Sequence, residues 1–137
     1  MFTLTTKSGY GVDAVLDLAR RYGDGLVQIK EIAERHGIPA PYLVQLFNRL
    51  THAGLVRAFR GQQGGYALAR NPRETSFLDV MEALEGPMEM TKGRAEEDVV
   101  KDIYSRAEVA AREALDVPLS EILARQDQKT GALFFQI

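Results

Sequence analysis

The chain has 137 residues, a formal net charge of −2, 45% apolar and 26% charged residues, and no cysteine. That suffices for one self-sustaining core and is ordinary for a soluble globular protein; it excludes a disulfide framework, a thiolate metal site and a cysteine nucleophile. No apolar run approaches the roughly 18 residues of a membrane span, and the N-terminus lacks the basic-then-apolar layout of a signal peptide, so a cytoplasmic protein with no membrane partner is expected.

In chain order, residues 7–22 show a helical stripe of Tyr10, Ala14, Val15, Leu18, Ala19 and Tyr22, broken by Gly23-Asp24-Gly25. A short helix is expected over 29–36, closed by Gly37. A third is expected over 39–53, with Pro39 and Pro41 in its first turn and Leu43, Leu46, Phe47 and Leu50 inward. Ala53-Gly54 ends it, and two short apolar runs from Leu55 to Leu68 flank a glycine-rich turn, as in a β-hairpin. Ser76 with Asp79 caps a fourth helix whose inner stripe is Phe77, Val80, Met81 and Leu84, stopped by Gly86-Pro87.

Residues 88–95 then read as a loop, and the longest helix is expected over 96–115. Pro118 interrupts, a short helix is expected near 120–123, and a polar stretch leads to the apolar tail 132–137, which either covers an interface or frays. The expected fold class is mostly α with a small β-hairpin. It divides into a winged helix-turn-helix domain (1–86) and a segment (87–137) holding a loop, a long C-terminal dimerisation helix and the tail.

Charge is split along this order. Residues 1–73 carry ten basic side chains against five acidic, and residues 74–137 seven against fourteen, so a +5 front precedes a −7 back. Such a molecule would orient in a polyanion's field, although two solvated surfaces of different sign give the same tally.

Ile32, Ala33, Gly37, Ile38, Leu43 and Leu46 have the spacing of two helices crossing at a tight turn, shared by helix-turn-helix units and ordinary helix pairs. On the outer stripe of helix 39–53 stand Tyr42, Gln45 and Arg49, with Asn48 beside them. Glutamine can read adenine, arginine can read guanine or hold phosphate, and tyrosine can bond phosphate, against a plain solvated face as the alternative. The turn Arg60-Gly61-Gln62-Gln63-Gly64-Gly65-Tyr66 suits a wing laid against an anionic groove: the glycines allow close approach and Arg60 supplies a permanent charge.

Val100, Ile103, Ala107, Ala110 and Ala114 form a narrow, alanine-rich seam suited to packing on the same helix of a second chain, or on its own domain. Chemistry of other kinds is poorly supplied. His36 and His52 end helices, where the dipole favours them; Glu96-Glu97-Asp98 is an acidic helix start, with metal binding a second reading. Gly61-x-x-Gly64-Gly65 lacks the Lys and Ser/Thr of a phosphate-cradling loop, and no catalytic residues are assigned.

Taken together, several segments resemble the Rrf2 family of bacterial transcription regulators. They are Thr5-Thr6-Lys7…Tyr10, Lys30-Glu31-Ile32-Ala33-Glu34-Arg35, Tyr42-Leu43-x-Gln45-Leu46, Ala53-Gly54-Leu55-Val56, Arg60-Gly61-x-x-Gly64-Gly65-Tyr66-x-Leu68-Ala69 and Asp79-Val80-x-x-Ala83-Leu84-Glu85-Gly86. The resemblance covers about residues 3–123. It implies a homodimeric winged helix-turn-helix regulator, read here as a repressor, on a palindromic double-stranded operator. The recognition helix would sit in the major groove and the wing in the minor groove. The DNA-contacting set is then Thr6, Lys7, Tyr42, Gln45, Asn48, Arg49, Arg60, Gly61, Gln62, Gln63, Gly64, Gly65 and Tyr66.

The chain also departs from the family. Many members hold an iron–sulfur cluster on three cysteines in the segment matching 88–106, where positions such as Ala95 and Ser105 stand here without a thiol, so no cofactor is expected. Val44 replaces a glutamate before the recognition-helix glutamine and could touch a thymine methyl instead of accepting from cytosine. Thr3 and Ser8-Gly9 replace a basic residue and a Gly-Arg pair, removing one or two phosphate contacts. Two other readings stay open: a winged-helix module binding an acidic protein surface, and a sensor of a non-cysteine metal or small ligand.

Overall fold

The structure, a computed structural model, describes the backbone of residues 5–135 and the side chains of residues 5–131. Six helices and one antiparallel hairpin follow in the order α1 (Thr6–Arg20), α2 (Ile29–His36), α3 (Ala40–His52), β1 (Val56–Phe59), β2 (Gly65–Leu68), α4 (Phe77–Glu85), α5 (Val99–Leu115) and α6 (Leu119–Phe135). Thr3 and the side chains of the tail 132–137 lie outside the described residues.

Local chemistry sets the helix starts. The Thr5 hydroxyl accepts from the Ser8 amide at 3.2 Å and the Ser8 hydroxyl from the Thr5 amide at 3.0 Å, closing a capping box on α1. Ser76 and Asp79 do the same for α4, both at 3.0 Å, as their spacing anticipates. α5 starts at Val99, three residues later than expected, because the Asp98 carboxylate accepts from the Val100 amide and takes the N-cap. Glu96 and Glu97 therefore belong to the preceding turn.

One core unites these elements. Ala14, Val15 and Leu18 of α1, Ile32 of α2, Leu43, Leu46, Phe47 and Leu50 of α3, Val56 and Leu68 of the hairpin, and Val80 and Leu84 of α4 are buried together. The α1 stripe is shorter than expected: the helix ends at Arg20, which leaves Tyr22 in a solvent-facing turn. In α4 the buried set is Leu78, Val80, Met81 and Leu84, with Phe77 half-buried. The hairpin pairs Val56 with Leu68, Arg57 with Ala67, Ala58 with Tyr66 and Phe59 with Gly65. Val27 adds a bridge on the far side of β2, exchanging two backbone hydrogen bonds with Tyr66 at 2.9 and 2.8 Å.

The C-terminal helix corrects the expectation of a short 120–123 helix and a polar linker. α6 is one helix of 17 residues. Pro118 opens it, its carbonyl accepting from Glu121, and Leu119 buries itself in the core. Arg20 of α1 then bonds Asp127 at 2.9 Å and Gln126 at 2.8 Å, so the polar stretch is held as helix by side chains that show no apolar period.

An ion cluster fixes α2 on α1. Asp17 points into the core side of α1 and is 4% exposed. Arg35 grips both its oxygens, Nε to Oδ2 at 2.9 Å and a terminal nitrogen to Oδ1 at 2.8 Å; His36 Nε2 lies 2.8 Å from Oδ2, and Arg21 stands 3.6 Å from Oδ1. Burial works to raise the Asp17 carboxyl; the bonds from Arg35 and His36 and the field of Arg21 outweigh it and hold the group below its ordinary value.

Candidate nucleic-acid interface

α3 has two sharply different faces. Leu43, Leu46, Phe47 and Leu50 are buried, whereas Tyr42, Val44, Gln45 and Asn48 are exposed. Gln45 and Asn48 make no side-chain hydrogen bond among the described residues, so their amide groups are free to meet another molecule. Val44, 44% exposed, adds an apolar group beside Gln45.

The N-terminus of α1 stands next to that face. Lys7 Nζ lies 5.3 Å from the centre of the Tyr42 ring, and Tyr10 meets the same ring edge-on at 6.3 Å. Thr6 is exposed beside Lys7. The structure thus brings Tyr42 together with Thr6 and Lys7, which lie 36 and 35 positions before it in the chain. Between them and α4 opens a cleft of about 510 Å³ that Arg49 also lines.

Arg49 has a second commitment. Its guanidinium donates to the Leu84 carbonyl at 2.7 Å, tying α3 to the last turn of α4. Leu84 is one of the end carbonyls that a helix leaves without an internal partner. Part of Arg49's donor capacity is therefore spent inside the fold.

In the wing, Arg60, Gln62 and Gln63 are exposed and carry no partner among the described residues. The glycines are set by the fold itself. Gly61 has φ of +110°, which a side chain rarely tolerates. A Cβ on Gly64 would run into the Phe59 carbonyl, and one on Gly65 would lie 2.9 Å from the Val27 carbonyl oxygen. Tyr66 stacks on Phe47 at 4.6 Å with 22° between planes, which fastens the wing to the inner face of α3. Gly61, Gly64, Gly65 and Tyr66, expected from the sequence at the DNA surface, thus have a cause inside the fold for their positions.

Two cations escaped the sequence reading. Arg57 and Arg70 flank the base of the hairpin in a cleft of about 560 Å³, with Thr51 and the half-exposed Phe59. Neither has an acidic partner among the described residues. The available signal was alternation along β1, which puts Arg57 and Phe59 on one face of the ribbon.

Val100, Ile103, Ala107, Ala110 and Ala114 are all exposed along α5, as are Val99, Tyr104 and Val109, which the seam did not include. No residue of α5 is buried by its own chain.

A helix-turn-helix with a buried inner face and uncommitted polar groups outward, followed by a hairpin tipped with a free arginine, defines a winged helix-turn-helix regulator. Residues 4–125 match the profile of the Rrf2 family, described as iron-dependent transcriptional regulators, and the chain belongs to that family. It is a DNA-binding transcription regulator. The regulator CymR of Bacillus subtilis is 32% identical over 136 residues, covering 98% of this chain and 99% of its own. IscR of Aliivibrio salmonicida is 42% identical over 94 residues, 69% of this chain and 56% of its own, so the chain spans about half the length of that relative. The solved structure of T. potens IscR superposes with a TM-score of 0.75 at 39% identity, covering 93% of this chain and 90% of that one.

The family description raises the question of iron. The donor chemistry of 88–106 does not fit a thiolate-held cluster, since the chain has no cysteine. Nor do the acids there stand ready for a metal: Glu96 is paired with Lys101, Asp98 with Arg94 at 2.7 Å, and no group of three His, Asp or Glu side chains converges among the described residues.

Proposed function

We propose that this protein is a cytoplasmic, homodimeric regulator that reads a two-fold operator and represses by occupying it. The observation that carries the reading is the outer face of α3. Tyr42, Val44, Gln45 and Asn48 are exposed there, Gln45 and Asn48 without internal hydrogen bonds, beside Lys7 of α1. Gln45 would read a base edge in the major groove, Val44 would lie against a thymine methyl, and Lys7 and Tyr42 would hold the adjacent backbone. Arg60 would enter the minor groove from the wing, with Gln62 and Gln63 beside it, and Arg57 and Arg70 would extend the positive surface.

The exposed stripe of α5 supports the dimer. Val99 is 78%, Ile103 58% and Val109 55% exposed, and a second copy of the same stripe buries such side chains without a new surface having to exist. The missing thiols support operation without a cysteine-ligated cluster.

Site selection from random duplexes tests the base-reading role. Wild type is expected to return one palindromic motif, and Gln45→Ala to return it with one position per half-site relaxed, at unchanged non-specific affinity. A variant that returns the wild-type motif unchanged removes Gln45 from base reading.

A further inference from the structure

α5 has no fully buried residue, and of its apolar side chains only Ala111 and Leu115 are half-buried, so apolar packing holds it weakly against the winged-helix body. The chain just after α5 is pinned to the body by backbone hydrogen bonds, Phe77 N–H to the Val117 carbonyl at 2.8 Å and Leu119 N–H to the Thr75 carbonyl at 2.9 Å, and α5 itself is joined to it by a polar hub around Arg112. Its guanidinium reaches both Glu82 oxygens on α4 at 3.3 Å, Glu108 on α5 at 3.3 Å and the Met88 carbonyl at 2.6 Å. Glu82 in turn accepts from the Met88 amide at 2.9 Å, so the residue that follows Gly86-Pro87 is held at both its donor and its acceptor. Met88 itself is 3% exposed. Arg49 continues the connection, binding α3 to the end of the same α4.

We propose that Arg112 is a positioning residue that sets the distance and angle between the two recognition helices of the dimer, and hence which half-site spacing the protein accepts. This rests on the reading of α5 as the dimer helix. If the two copies of α5 form the fixed axis, each winged-helix body is oriented on that axis through α4, and among the described residues the Arg112–Glu82 fork is the side-chain hydrogen-bonded connection between α4 and α5. A planar guanidinium bonded to a carboxylate and to a backbone carbonyl constrains direction as well as distance. Partly exposed ion pairs add little to folding stability, so the expected consequence of breaking this one is geometric.

Operator length reports that geometry directly. Inserting one base pair moves a half-site by about 3.4 Å and rotates it by about 35°. The test measures duplex affinity for wild type, Arg112→Ala, Arg112→Lys and Glu82→Gln on operators with the centre shortened or lengthened by one and two base pairs. Thermal unfolding and sedimentation confirm folded dimers.

Wild type is expected to lose about tenfold or more for each departure from its preferred spacing. Arg112→Ala is expected to flatten the profile to about threefold, and Arg112→Lys, which keeps the charge and loses the fork, to fall between. Glu82→Gln, which keeps the shape at Glu82, should flatten it in the same direction if the alanine variant folds poorly. Folded dimeric variants that keep the wild-type spacing profile, even at uniformly lower affinity, overturn the proposal. A monomeric wild type, or one that binds every spacing equally, overturns instead the dimer reading on which it rests.

Discussion

Asp17 shows how a single side chain governs the placement of a helix. An acid in the buried stripe of α1 costs stability unless it is paired, and here Arg35 and His36 come from the last turn of α2 to pair it. Asp17→Asn is expected to cost about 2 kcal/mol in urea unfolding, since the charge-assisted bonds weaken and the cations lose their counter-charge. Because the folded carboxyl lies below its ordinary value of 3.8, this contribution is present above that pH and lost as pH falls through the lower folded value. The gap between wild type and variant should therefore close below about pH 3.8; a gap that widens on acidification contradicts the assignment. Asp17 sat in plain view as the one acid among Ala14, Val15 and Leu18, but its partners lie 18 and 19 positions away, a distance that periodicity does not bridge.

Among the elements, the wing is the one whose chemistry changed meaning. Its glycines are compatible with close approach to DNA, yet the contacts around Gly64 and Gly65 are already made by Phe59 and Val27. Gly65→Ala should destabilise the fold by about 1–3 kcal/mol in urea melts without any DNA present, as overpacking against a backbone carbonyl does. Unchanged stability would return Gly65 to a purely DNA-facing role. Helices with caps and an apolar stripe were legible: α2, α3 and α4 fall within a residue or two of their expected limits. α6 was not, because residues 125–131 carry no apolar side chain and the helical state there rests on partners such as Arg20. The outer face of α3 and the free Arg60 were visible as residue types at helical and turn spacing. The Arg49 bond to Leu84 was not, since a surface arginine has many equivalent destinations in a sequence.

In the whole molecule a winged-helix body is joined to a helix, α5, with no buried residue. Ile103→Asp places a charge within its exposed stripe and is expected to convert the proposed dimer to monomers in sedimentation, lowering operator affinity by about a hundredfold through loss of bivalent binding. A variant that remains dimeric moves the interface elsewhere. The charge split of the sequence belongs at this scale too: residues 1–73, which hold α1, α3 and the hairpin, carry the +5 excess, and residues 74–137 the −7. The most direct test of DNA reading by this body is titration of the selected operator at a series of salt concentrations. If Lys7 and Arg60 of two protomers neutralise about four phosphates as proposed, log affinity should fall against log salt with a slope of about −3.6 or steeper, shallower by about two units in Arg60→Ala. Absence of duplex binding at low salt, or affinity that does not change with salt, would contradict it.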